Sequence, residues 1–113
     1  NRTASSGQEL VQLINDNTES IGEFIPLVGE IAIPANVDIV INATNIGLYP
    51  DTTKVPVDMN TLQSNMIVSD VIPNPPQTAF IKDATSRGCT TLDGLGMLVI
   101  LLRSRWCLIL VQT

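Results

Sequence analysis

Val37-Asp38-Ile39-Val40-Ile41-Asn42-Ala43 decides the fold. Branched Val and Ile side chains dominate it, and they favour extended backbone. The stretch is apolar at nearly every position instead of alternating, which predicts a strand buried on both faces, as in a parallel sheet. Small and polar residues follow at once, in Asn42-Ala43-Thr44-Asn45-Ile46-Gly47. Met66 to Ile72 repeats the pattern, with Asp70 near its end. Pro73-Asn74-Pro75-Pro76 cannot pair in a sheet interior, so it forms a loop at that strand's C-terminal end. Thr78 can cap a helix from about Ala79 to Arg87, ended by Gly88. Cys89 to Leu92 reads as a third, short strand that leads into Asp93-Gly94-Leu95-Gly96. The alternation of strand and helix predicts an α/β layer structure with parallel strands and helices on its faces.

Nearer the start of the chain, Ser5 or Ser6 is placed to cap a helix over about Gln8 to Asn17. Leu10, Val11, Leu13 and Ile14 then form one apolar face. Ile21 to Ile33 is mixed, with Pro26 and Pro34 as breakers. Tyr49 to Pro56 is a loop with two prolines, and a helical turn is expected near Met59 to Leu62. Met97 to Leu102 reads as the start of a buried helix after the glycine turn.

The chain's 113 residues allow one small domain, and a 44% hydrophobic content is enough to bury a core. The formal net charge is −5, and the six Lys and Arg are scattered, which argues against a protein that tracks a nucleic-acid backbone. Asn1 to Glu9 is polar and does not read as a signal peptide. The C-terminal apolar run is broken by Arg103 and Arg105, and its uncharged part is too short to span a bilayer. Cys89 and Cys107 match no metal spacing; a disulfide is open to them, but a reduced, cytosolic pair is expected. Histidine is absent, which removes the commonest general base and the commonest zinc ligand.

Ligands of open parallel sheets bind at the carboxyl ends of the strands. Three polar features fall there: Asn42-Ala43-Thr44, Asp70 and Asp93-Gly94. Together with Asn1-Arg2-Thr3 at the start, and in this order, they resemble the cofactor-binding domain of the shikimate/quinate dehydrogenase family. The resemblance runs from Asn1 to Val99, and the glycine motif at Gly94 and Gly96 is its most specific part. It implies a partial Rossmann-like parallel sheet over residues 1–99, lacking the family's first strand and its glycine-rich pyrophosphate loop.

By that resemblance the cofactor is NADP. Arg2, flanked by Asn1 and Thr3, would read its 2′-phosphate, since a guanidinium fork matches a phosphate. Asn42, Ala43, Thr44 and Gly47 would line the ribose and nicotinamide side, Asp70 would lie at the strand end facing the nicotinamide, and Gly94 would sit beside it. The activity implied is interconversion of 3-dehydroshikimate and shikimate, a small-molecule reaction of aromatic amino acid biosynthesis in the cytoplasm. The alternatives are an NAD-dependent quinate/shikimate dehydrogenase and a non-catalytic remnant acting only as a binding or interaction fragment.

Three departures from the family pattern stand out. Pro73 occupies a place where the family often has a tyrosine near the substrate, and Leu101 one where it has a substrate-contacting glutamine. Ile100 to Thr113 diverges altogether. One back-translation of Arg103 to Val111, read one base later, restores a family-like glycine-rich stretch ending in tryptophan, so a frame change near Val99 is expected. The family's catalytic lysine and aspartate fall outside the matched segment, so no residue here is assigned proton transfer, and the chain alone is expected to be inactive.

Overall fold

The computed structural model describes residues 3–112, with side chains as far as Arg103. The chain divides into two compact units, Asn1–Ile31 and Ala32–Thr113.

The first unit is built on helix α1, Ala4–Asn17. The helix begins earlier than the serines suggested. Thr3 is the N-cap residue, in extended conformation, and its carbonyl already accepts from the Gly7 amide at 3.1 Å, so Ser5 and Ser6 lie inside the first turn. At the other end the Thr18 amide and hydroxyl both donate to the Ile14 carbonyl, at 3.0 and 2.8 Å, which satisfies one of the orphan acceptors of a helix terminus. The expected apolar face is only partly used. Gly7 is buried against the Phe24 ring, and Val11 and Ile14 are half-buried, whereas Leu10 and Leu13 are exposed. The reason is angular: Gly7, Val11 and Ile14 recur at spacings of four and three and share one stripe, which Leu10 and Leu13 flank.

The second unit holds a three-stranded sheet, β1 (Ile39–Asn42), β2 (Ile67–Asp70) and β3 (Thr90–Leu92), in the order β1-β2-β3. Both pairings are parallel, as the sequence predicted, with Ile39 opposite Ile67, Asn42 opposite Asp70 and Ile67 opposite Thr90. Helix α2, Ala79–Ser86, joins β2 to β3. It begins where Thr78 accepts from the Ile81 amide at 3.3 Å and ends at Arg87, before Gly88. A short 3₁₀ turn at Met59–Thr61 is capped by Asp58. Helix α3, Gly94–Gln112, follows β3.

The core lies between the sheet and α2. Met66, Val68, Phe80 and Ala84 are buried there, and Leu62 and Cys89 close the cluster. Cys89 is a free thiol whose Sγ donates to the Gln63 carbonyl at 3.2 Å, and burial pushes it above the usual thiol range. The Cys107 side chain lies outside the described residues.

Two expectations are corrected here. The strands are not buried on both faces. Alternation along the strands places Val40, Val68 and Asp70 on one face and Ile39, Ile41, Ile67 and Leu92 on the other; the second set is exposed, at 60% for Ile41. Apolar residues on both faces make a strand suited to double burial, but burial itself needs a second layer. The helix after the glycine turn is present and longer than read, yet Met97 and Val99 to Leu102 are exposed. Its apolar residues are spread all round the axis, so contact on one side leaves the rest open. No helix among the described residues is long and apolar enough to cross a membrane.

Candidate functional site

The carboxyl ends of the three strands carry the polar motifs. β1 ends at Asn42, which is buried in spite of its amide. Each side-chain atom of Asn42 has a partner. Its Oδ1 accepts from the Thr44 amide at 3.1 Å and from the Thr44 hydroxyl at 2.7 Å, while Nδ2 donates to the Ile46 carbonyl at 3.2 Å and to Asp70 Oδ1 at 3.1 Å. The Thr44 hydroxyl in turn accepts from the Ile46 amide at 3.1 Å. Asn42 thus folds its own following loop around itself, an Asx-type turn built on a strand end.

β2 ends at Asp70, only 2% exposed. Its Oδ1 also accepts from the Ile72 amide at 3.0 Å, and its Oδ2 accepts from the Thr78 hydroxyl at 2.7 Å. A buried carboxylate is tolerated only with such partners; among the described residues, no buried side-chain nitrogen or oxygen lacks one. Two backbone bonds tie the same loops together: Val71 donates to the Asn42 carbonyl at 3.1 Å and Tyr49 to the Asn74 carbonyl at 2.9 Å.

The third strand reaches the same place through Gly94. A Cβ on Gly94 would overlap the Ile72 carbonyl and the Val71 carbonyl carbon, so only glycine lets the start of α3 lie against the backbone just after β2. Gly47 closes the first loop with φ at +99°, a conformation that side chains other than glycine adopt at a cost. Ala43 and Thr44 are exposed on the rim.

The structure therefore brings Asn42, Thr44, Asp70 and Gly94 together, with Ala43 and Gly47 in the same loop. Thr3 lies in the other unit, at the N-cap of α1. Asn1 and Arg2 lie outside the described residues. Sequence reading saw Thr78 only as a helix cap. Its second bond, to Asp70, depends on where α2 starts relative to β2, and no local signal carries that.

No family model matches the chain. A shikimate dehydrogenase (NADP(+)) from Shouchella clausii is 43% identical over 99 residues, which is 88% of this chain and 35% of that protein. A shikimate dehydrogenase solved in complex with NADP+ superposes with a TM-score of 0.75 at 34% identity, covering 87% of this chain and 35% of the other. The chain is thus similar to shikimate dehydrogenases over nearly nine-tenths of its own length. It spans about a third of the length of the relatives it matches, 35% in both of these cases. The ligand-free 5-ketofructose reductase of Gluconobacter sp. strain CHM43 is also similar. It superposes with a TM-score of 0.83 at 53% identity, again over 87% of this chain and 35% of that one. The likeness to shikimate dehydrogenases thus extends to a ketose reductase.

Proposed function

We propose that this chain forms the cofactor-side floor of an NADP-dependent shikimate dehydrogenase, which interconverts 3-dehydroshikimate and shikimate. One observation carries the reading: in a chain 43% identical to such an enzyme, the ends of two parallel strands are joined in one hydrogen-bonded floor, with Gly94 after the third packed against it. The residues fit the cofactor. Ala43 to Leu48 carries no charge that would repel phosphates, and its exposed rim residues Ala43 and Thr44 are small. When bound, NADP supplies the hydride that moves between the nicotinamide and the substrate carbonyl. This chain's own part is to bind and orient. Ala43, Thr44, Gly47 and Gly94 line the nicotinamide side, while Asn1, Arg2 and Thr3 take the 2′-phosphate, with Arg2 as the charged partner. Residues 1–99 act as the partial dinucleotide-binding domain and residues 100–113 as a divergent tail. The partner is a small molecule, and the protein works in the cytoplasm.

A second reading is favoured by the 53% identity to a ketose reductase: the substrate is a flexible sugar-like ketone instead of a cyclohexene acid. Both readings share the cofactor floor. They separate in an NADPH absorbance assay on a protein of the relatives' full length carrying this segment. Turnover with 3-dehydroshikimate and none with 5-ketofructose supports the first, and the reverse result replaces it.

Cofactor choice has its own test. Arg2→Ala is expected to weaken NADP binding roughly ten-fold or more while leaving NAD nearly unchanged, since a charge-assisted phosphate contact is worth about 1.5–3 kcal/mol. Equal losses for the two cofactors in a titration remove Arg2 from this role. The 113-residue chain by itself is expected to give no turnover, because none of its residues is assigned the proton-transfer step.

A further inference from the structure

We propose that Asp70 is a positioning residue that touches no ligand, and that with Asn42 and Thr78 it sets the shape of the cofactor floor; this rests on the cofactor reading above. Both oxygens of Asp70 are committed inward. Oδ1 takes the Asn42 Nδ2 and Ile72 N–H groups, and Oδ2 takes the Thr78 hydroxyl. The three donors come from three separate pieces of the floor: the end of β1, the loop after β2 and the N-cap of α2.

Asn42 relays the constraint. Its amide has one self-consistent orientation, because Oδ1 faces two donors at Thr44 and Nδ2 faces two acceptors at Ile46 and Asp70. Turning it over would set a donor against the Thr44 N–H. Asp70 therefore fixes Asn42, and Asn42 fixes the exposed Thr44 and the half-buried Ile46. Thr78 couples the same carboxylate to the helix start, since its hydroxyl accepts from Ile81 while donating to Asp70. A network in which every member is satisfied has one arrangement, and partial satisfaction is what loosens it.

The test uses Asp70→Asn, which keeps the shape and one acceptor but leaves the Thr78 hydroxyl without its carboxylate oxygen. Thr78→Val removes the same bond from the other side, and Thr78→Ser restores it. Hydrogen exchange is read at the Thr44, Ile46 and Ile72 amides. NADP affinity and the KM and kcat for substrate are read on the full-length protein, at a temperature where circular dichroism shows every variant folded.

Positioning predicts faster exchange at those amides in Asp70→Asn and Thr78→Val. It also predicts cofactor binding weakened roughly ten-fold, a lowered kcat with little change in substrate KM, and near wild-type values in Thr78→Ser. Folded variants with wild-type NADP affinity, whatever their melting temperature, overturn the proposal. Unchanged exchange at Thr44 and Ile46 overturns it as well. Failure of the unaltered protein to bind NADP instead sinks the cofactor reading itself, and the proposal falls with it.

Discussion

Both faces of the sheet carry branched apolar side chains, but their environments are opposite. On one, Val68 packs with the α2 side chains Phe80 and Ala84, each 2% exposed or less. On the other, Ile39, Ile41, Ile67 and Leu92 are apolar too and lie open. The difference shows that apolar content alone does not define a core. Transfer free energy is gained only where a second layer removes the area from water.

The largest expected effect tests that contrast directly. Phe80→Ala should cost about 3–5 kcal/mol, the range for a large-to-small change in a well-packed core. Ile41→Ala, from a side chain 60% exposed, should stay within about 0.5 kcal/mol. Urea unfolding curves for the two variants measure both. Comparable losses would mean that Ile41 is buried in solution and that the two faces do not differ.

Two glycines at the start of α3 give the next contrast. Gly94 lies against the carbonyls of Val71 and Ile72, whereas a Cβ on Gly96 would meet open space. Gly94→Ala should destabilise by about 1–3 kcal/mol through overpacking against backbone that cannot yield. Gly96→Ala should gain about 0.5–1 kcal/mol, because alanine restricts the unfolded chain and favours helix. Thermal melts of the pair check the signs, and a neutral Gly94→Ala would show that the strand end and helix start are not in contact.

The smallest effect concerns charge on the covered side. Lys54 Nζ lies 3.1 Å from Asp83 Oδ2 on α2, but the two side chains are 67% and 35% exposed. Lys54→Ala should cost about 0.2–1 kcal/mol in dilute buffer and less in high salt, since surface pairs are screened. A larger, salt-independent loss would indicate that the Lys54 stem contributes through packing.

Much of this was legible in the chain. The Thr78 cap and the Gly88 stop delimit α2 because capping is a local exchange of hydrogen bonds, and the structure trims the predicted helix by one residue. The two longer strands were found from their branched apolar runs, though each proved shorter at its ends, at Ile39–Asn42 and Ile67–Asp70. The polar motifs at the strand ends were visible too, and their positions in the fold follow from parallel topology. Their internal bonding was not. Asn42 and Asp70 stand 28 residues apart, and nothing near either one names the other.

Side-chain branching, caps and breakers, which act over a few residues, placed the strands and helices along the chain to within a few residues of their ends. The sequence by itself also determined that polar groups would cluster at one end of a parallel sheet. Tertiary structure alone decided the rest. The register that sets Asn42 opposite Asp70 turned two separate polar residues into one satisfied pair. The placement of α2 on a single face decided which of two apolar surfaces became core. Both outcomes depend on contacts between residues far apart in the chain, whose energies exist only once the elements have met.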